Sequence, residues 1–298
     1  MSTLQNDDSY SGSKGEALTA PALHRIADVA VHLDGSGYDE PRLAYAQMLA
    51  TIFGTHVEGF FANPIPTSFI PVSAGYERVA AEIWEEGRAA GDVAEKAIRS
   101  RLDRLGDGCA LRRVDGMPHE LAFAAARLAR TLDLVILGRP DDDRSLADMI
   151  AAVLFDAGSP ALIVPAEATE ARDPQTIVIG WRDSTECSRS IAASLPFLKR
   201  AREVFLVSVA EATASEERHS EPAADMARHL ARHGIAVEVR HLPKWNRPAD
   251  ALLNEAKIVG AELLVSGAYG RSRLREMILG GVTRDLLKSS PIPLLMSH

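Results

Sequence analysis

Residues 176–209, TIVIGWRDSTECSRSIAASLPFLKRAREVFLVSV, hold one full cycle of the architecture. Residues 176–181 form a short apolar run closed by Arg182, Asp183 and Ser184, the pattern of a buried strand meeting a turn. A helical stretch follows to about Ala201, and residues 204–209 are a second apolar run. Because a helix and not a tight hairpin joins the two runs, the chain crosses over and the strands lie parallel under a helical layer. The alternation continues with a helix ending near His233, a strand at 235–239, a helix headed by Pro248, a strand at 263–265 and a last strand at 293–296.

The same series occurs earlier in the chain. Residues 26–33 are apolar and meet Asp34-Gly35-Ser36, and Pro41 then opens a helical stretch toward Phe53. An Ala-rich helix at 118–131 leads to a strand at 134–137, which ends at Gly138-Arg139-Pro140, and a strand at 161–164 closes at Pro165. Asp34 matches Arg182, Pro118 matches Pro248, Gly138 matches Gly267 and Pro160 matches Pro293. Each half is therefore expected to be a doubly wound α/β domain with a mainly parallel five-stranded sheet of Rossmann-like type. The first half is longer in its middle, where Pro64-Ile65-Pro66 precedes a charged helical run at 82–104, and Phe60, Phe61, Phe69 and Tyr76 are placed to cover its cleft. The expected organisation is a flexible tail at 1–23, a first domain at 24–165, a short polar linker at 166–174 and a second domain at 175–298. The end strands at 162–164 and 294–296 are apolar edges, which are expected to pair with each other so that the tandem chain forms its own pseudo-dimer.

Totals exclude several classes. A chain of 298 residues accommodates two cores, and a net charge of −8 argues against broad nucleic-acid binding, which depends on Lys and Arg neutralising phosphates. No apolar run approaches the roughly 18 residues of a membrane-spanning helix, and the polar start lacks a signal-peptide pattern, so the expected location is the cytoplasm. Cys109 and Cys187 lack metal-ligand spacing and read as buried structural thiols.

In an open parallel sheet ligands bind beyond the carboxyl ends of the strands, where the strand order reverses. There the second half runs from its fourth strand into Gly267-Ala268-Tyr269-Gly270, passes Arg271, Arg273 and Arg275, and reaches Gly280-Gly281-Val282-Thr283 and a helix. Glycines let a backbone approach a ligand, and the free N–H groups of a helix start can hold phosphate oxygens. Gly267, Gly270 and Gly280 stand at G-x2-G-x9-G spacing, and Ser290-Pro291-Ile292-Pro293 precedes the last strand.

This segment resembles the glycine loop of ATP-binding universal stress proteins, and the matching landmarks extend the likeness over both halves, as in a tandem member of that family. The resemblance implies an adenine nucleotide alpha hydrolase-like fold that binds ATP or another adenine nucleotide in the second domain, optionally with Mg2+. It implies as binding residues Val209 on the adenine side, and Gly267, Gly270, Gly280, Gly281, Val282 and Thr283 around the phosphates. It also implies a protein partner of unknown identity and is compatible with a homodimer. Two positions depart from the family pattern: Gly281 replaces a Ser or Thr, and Arg182 replaces the first-strand Asp that contacts adenosine. The first half keeps Asp34 at that place but follows Gly138 with Arg139-Pro140-Asp141-Asp142-Asp143, without further glycines, so it is expected to bind no nucleotide of the usual kind.

Plainer readings stand beside these. The arginines at 271, 273 and 275 suit a solvated face, Trp181 and Trp245 suit packing better than base stacking, and Asp141 to Asp143 suit a capped loop better than a cation site. Enzyme signatures fail: Glu40 stands where a dinucleotide fingerprint needs a third glycine, and Phe123 stands where His119-Glu120 would need a second histidine. The expectation is a stress-response or signalling protein that binds nucleotide and is not a dedicated enzyme. The alternatives are a nucleotide-independent interaction protein and a slow adenine-nucleotide hydrolase.

Overall fold

The computed structural model describes residues 25–65, 76–105, 109–140, 143–168, 170–210, 216–268 and 281–298. The first unit runs β1 (Asp28–Leu33), α1 (Asp39–Phe53), β2 (His56–Pro64), α2 (Tyr76–Leu102), β3 (Ala110–Gly116), α3 (Pro118–Ala129), β4 (Leu134–Gly138), α4 (Arg144–Ala151) and β5 (Ala161–Val164). A π-helical turn, Ala152–Ala157, extends α4. The second unit runs β6 (Thr176–Gly180), α5 (Thr185–Leu198), β7 (Glu203–Val209), α6 (Glu216–Arg232), β8 (Glu238–Leu242), α7 (Pro248–Val259), β9 (Leu263–Gly267), α8 (Gly281–Ser289) and β10 (Leu294–Ser297).

Among the described residues ten strands form one sheet in the order β3-β2-β1-β4-β5-β10-β9-β6-β7-β8. Within each unit every pair is parallel, and the repeat is visible in the register: Val31 lies beside Ile136 as Ile179 lies beside Val265. The end strands meet at an antiparallel seam that pairs Leu295 with Leu162 and Leu294 with Ile163. Alternation of side chains then joins the two units on both faces. Leu162 and Leu295 belong to one core, with Val31 and Ile179; Ile163 and Leu294 belong to the other, with Ala30 and Val178. Each such buried side chain contributes about 1.5–3 kcal/mol, so parting the seam is costly for both units at once. The outer edges β3 and β8 carry Arg112, Arg113 and Asp115, and Glu238 and Arg240, charges that discourage further strand addition.

The structure corrects three expectations. The strand expected at 235–239 lies at Glu238–Leu242, because Gly234 adopts a left-handed φ of 79° and Ile235 N–H returns to Leu230 O, making Ile235 a buried helix-end contact. Phe60 and Phe61 do not cover the first cleft; they point from β2 into the two cores, while residue 69 and the side chain of Tyr76 lie outside the described residues. Cys187 is buried, but Cys109, just before edge strand β3, is only half-buried.

Candidate functional site

In the second unit the chain leaves β6 toward β7 on one side and returns to β9 on the other, so a crevice opens over the carboxyl ends of β6 and β9. Glycines shape its floor. A Cβ on Gly180 would stand 2.9 Å from Leu252 of α7, and one on Gly267 would stand 2.6 Å from the backbone nitrogen of Cys187. Gly267 is thus required by the packing of β9 on the first turn of α5. Ser184 caps that helix by accepting from Cys187 N–H at 3.3 Å, and the Cys187 thiol faces Gly180 O at 3.7 Å.

Trp181 is 8% exposed and donates its backbone N–H to Val207 O at 2.7 Å, which makes it a core residue. Arg182 lies within electrostatic reach of Glu186. Burial works against ionisation of that carboxyl, but hydrogen bonds from its own backbone and Ser184, with the charges of His298 and Arg182, hold it below the usual carboxylate range. Val209 ends β7 beside Leu242 and is half-buried at the same edge of the sheet.

Helix α8 closes the crevice. Thr283, Leu286 and Leu287 are buried against the sheet and Val282 is exposed. Among the described residues no atom lies within 4 Å of where a Cβ on Gly281 would stand, and the first N–H groups of a helix have no partner within the helix itself. Arg247, at the start of α7, reaches Asp285 at 3.1 Å and Asp250 at 3.6 Å and ties the two helix starts together. Gly267 and Gly281 to Thr283 therefore flank the crevice, whereas Gly270, Gly280 and the arginines at 271, 273 and 275 lie outside the described residues.

The corresponding place in the first unit is filled from within. Arg42 is 1% exposed and lies against Gly138, where a Cβ would stand 3.6 Å from its Nη1. Its guanidinium donates to Asp34 at 2.9 Å, Asp39 at 2.7 Å, Tyr38 O at 3.0 Å and His32 Nδ1 at 2.7 Å. Asp39 also accepts from the N–H groups of Asp34 and Gly35 and from Arg101, all at 3.0 Å. Since a guanidinium has only donors, His32 Nδ1 must be unprotonated and the ring neutral. Burial, then the Arg42 charge, lowers the His32 pKa to about 3. For Asp34 burial is outweighed by Arg42 and by hydrogen bonds from Ser36 and Arg42, and the pKa falls well below the carboxylate range.

Other motifs resolve into structure. Asp143 caps α4 by accepting from Ser145 and Leu146 N–H, and Glu120 accepts from Met117 N–H at 2.8 Å. Among the described residues no group of three or more His, Cys, Asp or Glu side chains is arranged to hold a metal ion. Sequence reading missed one polar pair, Ser208 Oγ and His241 Nδ1 at 2.6 Å. The β7–β8 register places them side by side, so only the strand pairing could have revealed them.

Residues 197–298 match the model described as the Universal stress protein family. The second unit thus carries a match to the universal stress protein family over most of its length. The first unit repeats its fold, strand for strand, to give a tandem pair. A universal stress protein from Archaeoglobus fulgidus DSM 4304 has a similar structure, with a TM-score of 0.62 at 17% identity over 90% of this chain and 97% of its own. A functionally unknown protein from Pseudomonas aeruginosa PAO1 gives a TM-score of 0.55 at 16% identity over 93% and 94% of the two chains. At these identities the likeness is one of fold. No curated protein matches the sequence significantly.

Proposed function

We propose that the universal stress protein domain binds an adenine nucleotide, ATP foremost, and that the chain serves stress response or signalling in the cytoplasm by changing its interactions on binding. The supporting observation is the start of α8. Gly281 opens the helix at the reversal of strand order, directly after the G-x2-G-x9-G spacing, and no described atom lies within 4 Å of where its Cβ would stand. Phosphate oxygens would accept from the first N–H groups of the helix, and Val209 would border the base. Mg2+, where present, would be carried chiefly by the nucleotide's own phosphates and water. Turnover is not part of this reading, and a rate of ATP hydrolysis lowered by changes in the loop would contradict it.

Native mass spectrometry of the purified full chain, followed by ATP titration in a calorimeter, tests the proposal. A stoichiometric adenine nucleotide released on denaturation, or one-site ATP binding, supports it; neither appearing overturns it. The second reading, a nucleotide-independent interaction protein, is favoured by Gly267, whose absent side chain α5 already explains, and by Arg182 at the family's carboxylate position.

A further inference from the structure

The helix on which this function depends is held at its far end by the other unit. α8 has nine residues, too few to persist without tertiary support. At its carbonyl end Ser290 continues the helical pattern, its N–H meeting Leu286 O at 2.9 Å, and Ser290 O accepts from Arg139 Nη1 at 3.1 Å. Arg139 belongs to the first unit, immediately after β4, and its Nη2 donates to Glu167 at 2.9 Å. The antiparallel seam explains the meeting: it sets the carboxyl end of β4 beside the amino end of β10, which is where α8 finishes.

The two helix ends are supported differently. The matching helix of the first unit closes itself, because the π-helical turn ends on Gly158 at a φ of 69°, whose N–H returns to Val153 O. Ala268 stands after β9 where Arg139 stands after β4, and the second unit meets the first unit's helix end not through a guanidinium but through the His298 ring, edge-on to Phe155 with centroids 4.4 Å apart.

We propose that Arg139 is a positioning residue for the nucleotide site of the second unit, an inference that rests on the amino end of α8 being the phosphate-binding end. Its guanidinium satisfies one of the carbonyls a helix end leaves unpaired and complements the negative end of the helix dipole. With that end fixed, the N–H groups at Gly281 to Thr283 keep one orientation. The first unit, whose own cleft is filled by Arg42, thereby acts as the clamp of its neighbour's site.

The test uses full-length wild type, Arg139→Ala, Arg139→Lys and Glu167→Gln. Hydrogen exchange of the amides at 284–290 is measured without nucleotide, and ATP affinity by calorimetry. Arg139→Ala should speed α8 exchange by about two- to fivefold and weaken ATP binding by a similar factor. Arg139→Lys should recover most of both, and Glu167→Gln should change neither. Unchanged exchange in Arg139→Ala overturns the clamp whatever ATP affinity does, and faster exchange with wild-type affinity overturns the positioning role. If wild type binds no ATP, the nucleotide reading fails and the positioning role with it; a failure confined to the Arg139 variants leaves the nucleotide reading standing.

Discussion

The two units place the same strands in the same order, yet the first cleft is filled with charge and, among the described residues, the second is not. Arg42 and Ser190 stand the same number of residues beyond the equivalent strand positions Val29 and Ile177. Arg42 engages two carboxylates, a histidine and a carbonyl. Ser190 spends a single hydroxyl on the backbone, donating toward Ser266 O at 2.9 Å and accepting from Ser297 N–H at 2.9 Å. A duplicated fold thus keeps its packing rules while the cleft chemistry diverges. In one copy an internal cation occupies the cleft floor; in the other a serine hydroxyl held by backbone groups takes the equivalent place.

The largest test of this contrast is stability. Arg42→Met should destabilise the chain by about 3–5 kcal/mol, since it leaves the buried Asp39 carboxylate, and Asp34 beside it, without their main cation. Ser190→Ala should cost only about 1 kcal/mol, the net worth of an ordinary hydrogen bond. Urea unfolding of both variants measures the difference, and equal losses would mean that the two clefts are energetically alike.

Next is the anion preference of the second cleft. Gly281→Asp should weaken ATP binding tenfold or more, about 1.4 kcal/mol, because a carboxylate at a helix start competes with phosphate for the same N–H groups. Gly281→Ala should bind nearly as wild type, since nothing described lies within 4 Å of the added carbon. Thermal unfolding should first establish that both fold. Equal weakening by both substitutions would point to crowding in place of charge.

The strand-helix alternation, the repeat and the pairing of the end strands follow from apolar runs and matching Gly and Pro positions, signals that are local in the chain. The filling of the first cleft was not legible in this way. Arg42 lies inside a helix and reads there as an ordinary surface cation, and only the tertiary approach of β1, α1 and β4 surrounds it with His32, Asp34 and Asp39. Gly267 was legible as a necessary glycine, but its cause was not, because Cys187 approaches it from another element. Arg139 likewise looked like part of a degenerate loop until the seam brought Ser290 to it.

The same contrast predicts an acid response centred on the first unit. His32 has a pKa of about 3 in the fold and about 6.5 unfolded, so the unfolded chain binds more protons between these values. Its contribution to stability is complete above pH 6.5 and declines as pH falls toward 3, by up to about 1.4 kcal/mol per pH unit. Asp39 acts in the opposite direction. Burial chiefly raises its pKa to about 6, so between pH 6 and its unfolded value near 4 the folded state gains the extra proton. The wild-type curve contains both effects, and His32→Asn, which keeps an acceptor where Nδ1 stood, separates them. Stability measured from pH 7 to 4.5 should fall more steeply in wild type than in His32→Asn. Parallel curves would show that His32 does not carry the acid response.

The smallest expected effect concerns Asp34, the carboxylate that by family resemblance should meet adenosine. Asp34→Ala should change ATP affinity by less than about twofold, a difference within the ordinary scatter of a remote substitution. The seam supplies the reason: β5 and β10 are antiparallel, so the carboxyl ends of the two units open at opposite edges of the sheet, and Asp34 stands at the edge away from Gly281. Asp34 is moreover already paired, at 2.9 Å, with an arginine that keeps Asp39, Tyr38 O and His32 when it is lost. The stability cost should therefore be about 1 kcal/mol, well below that of Arg42→Met. Calorimetric titration of folded Asp34→Ala with ATP decides the point. A loss of affinity as large as that of Gly281→Asp would place the nucleotide in the first unit and reverse the roles assigned to the two clefts.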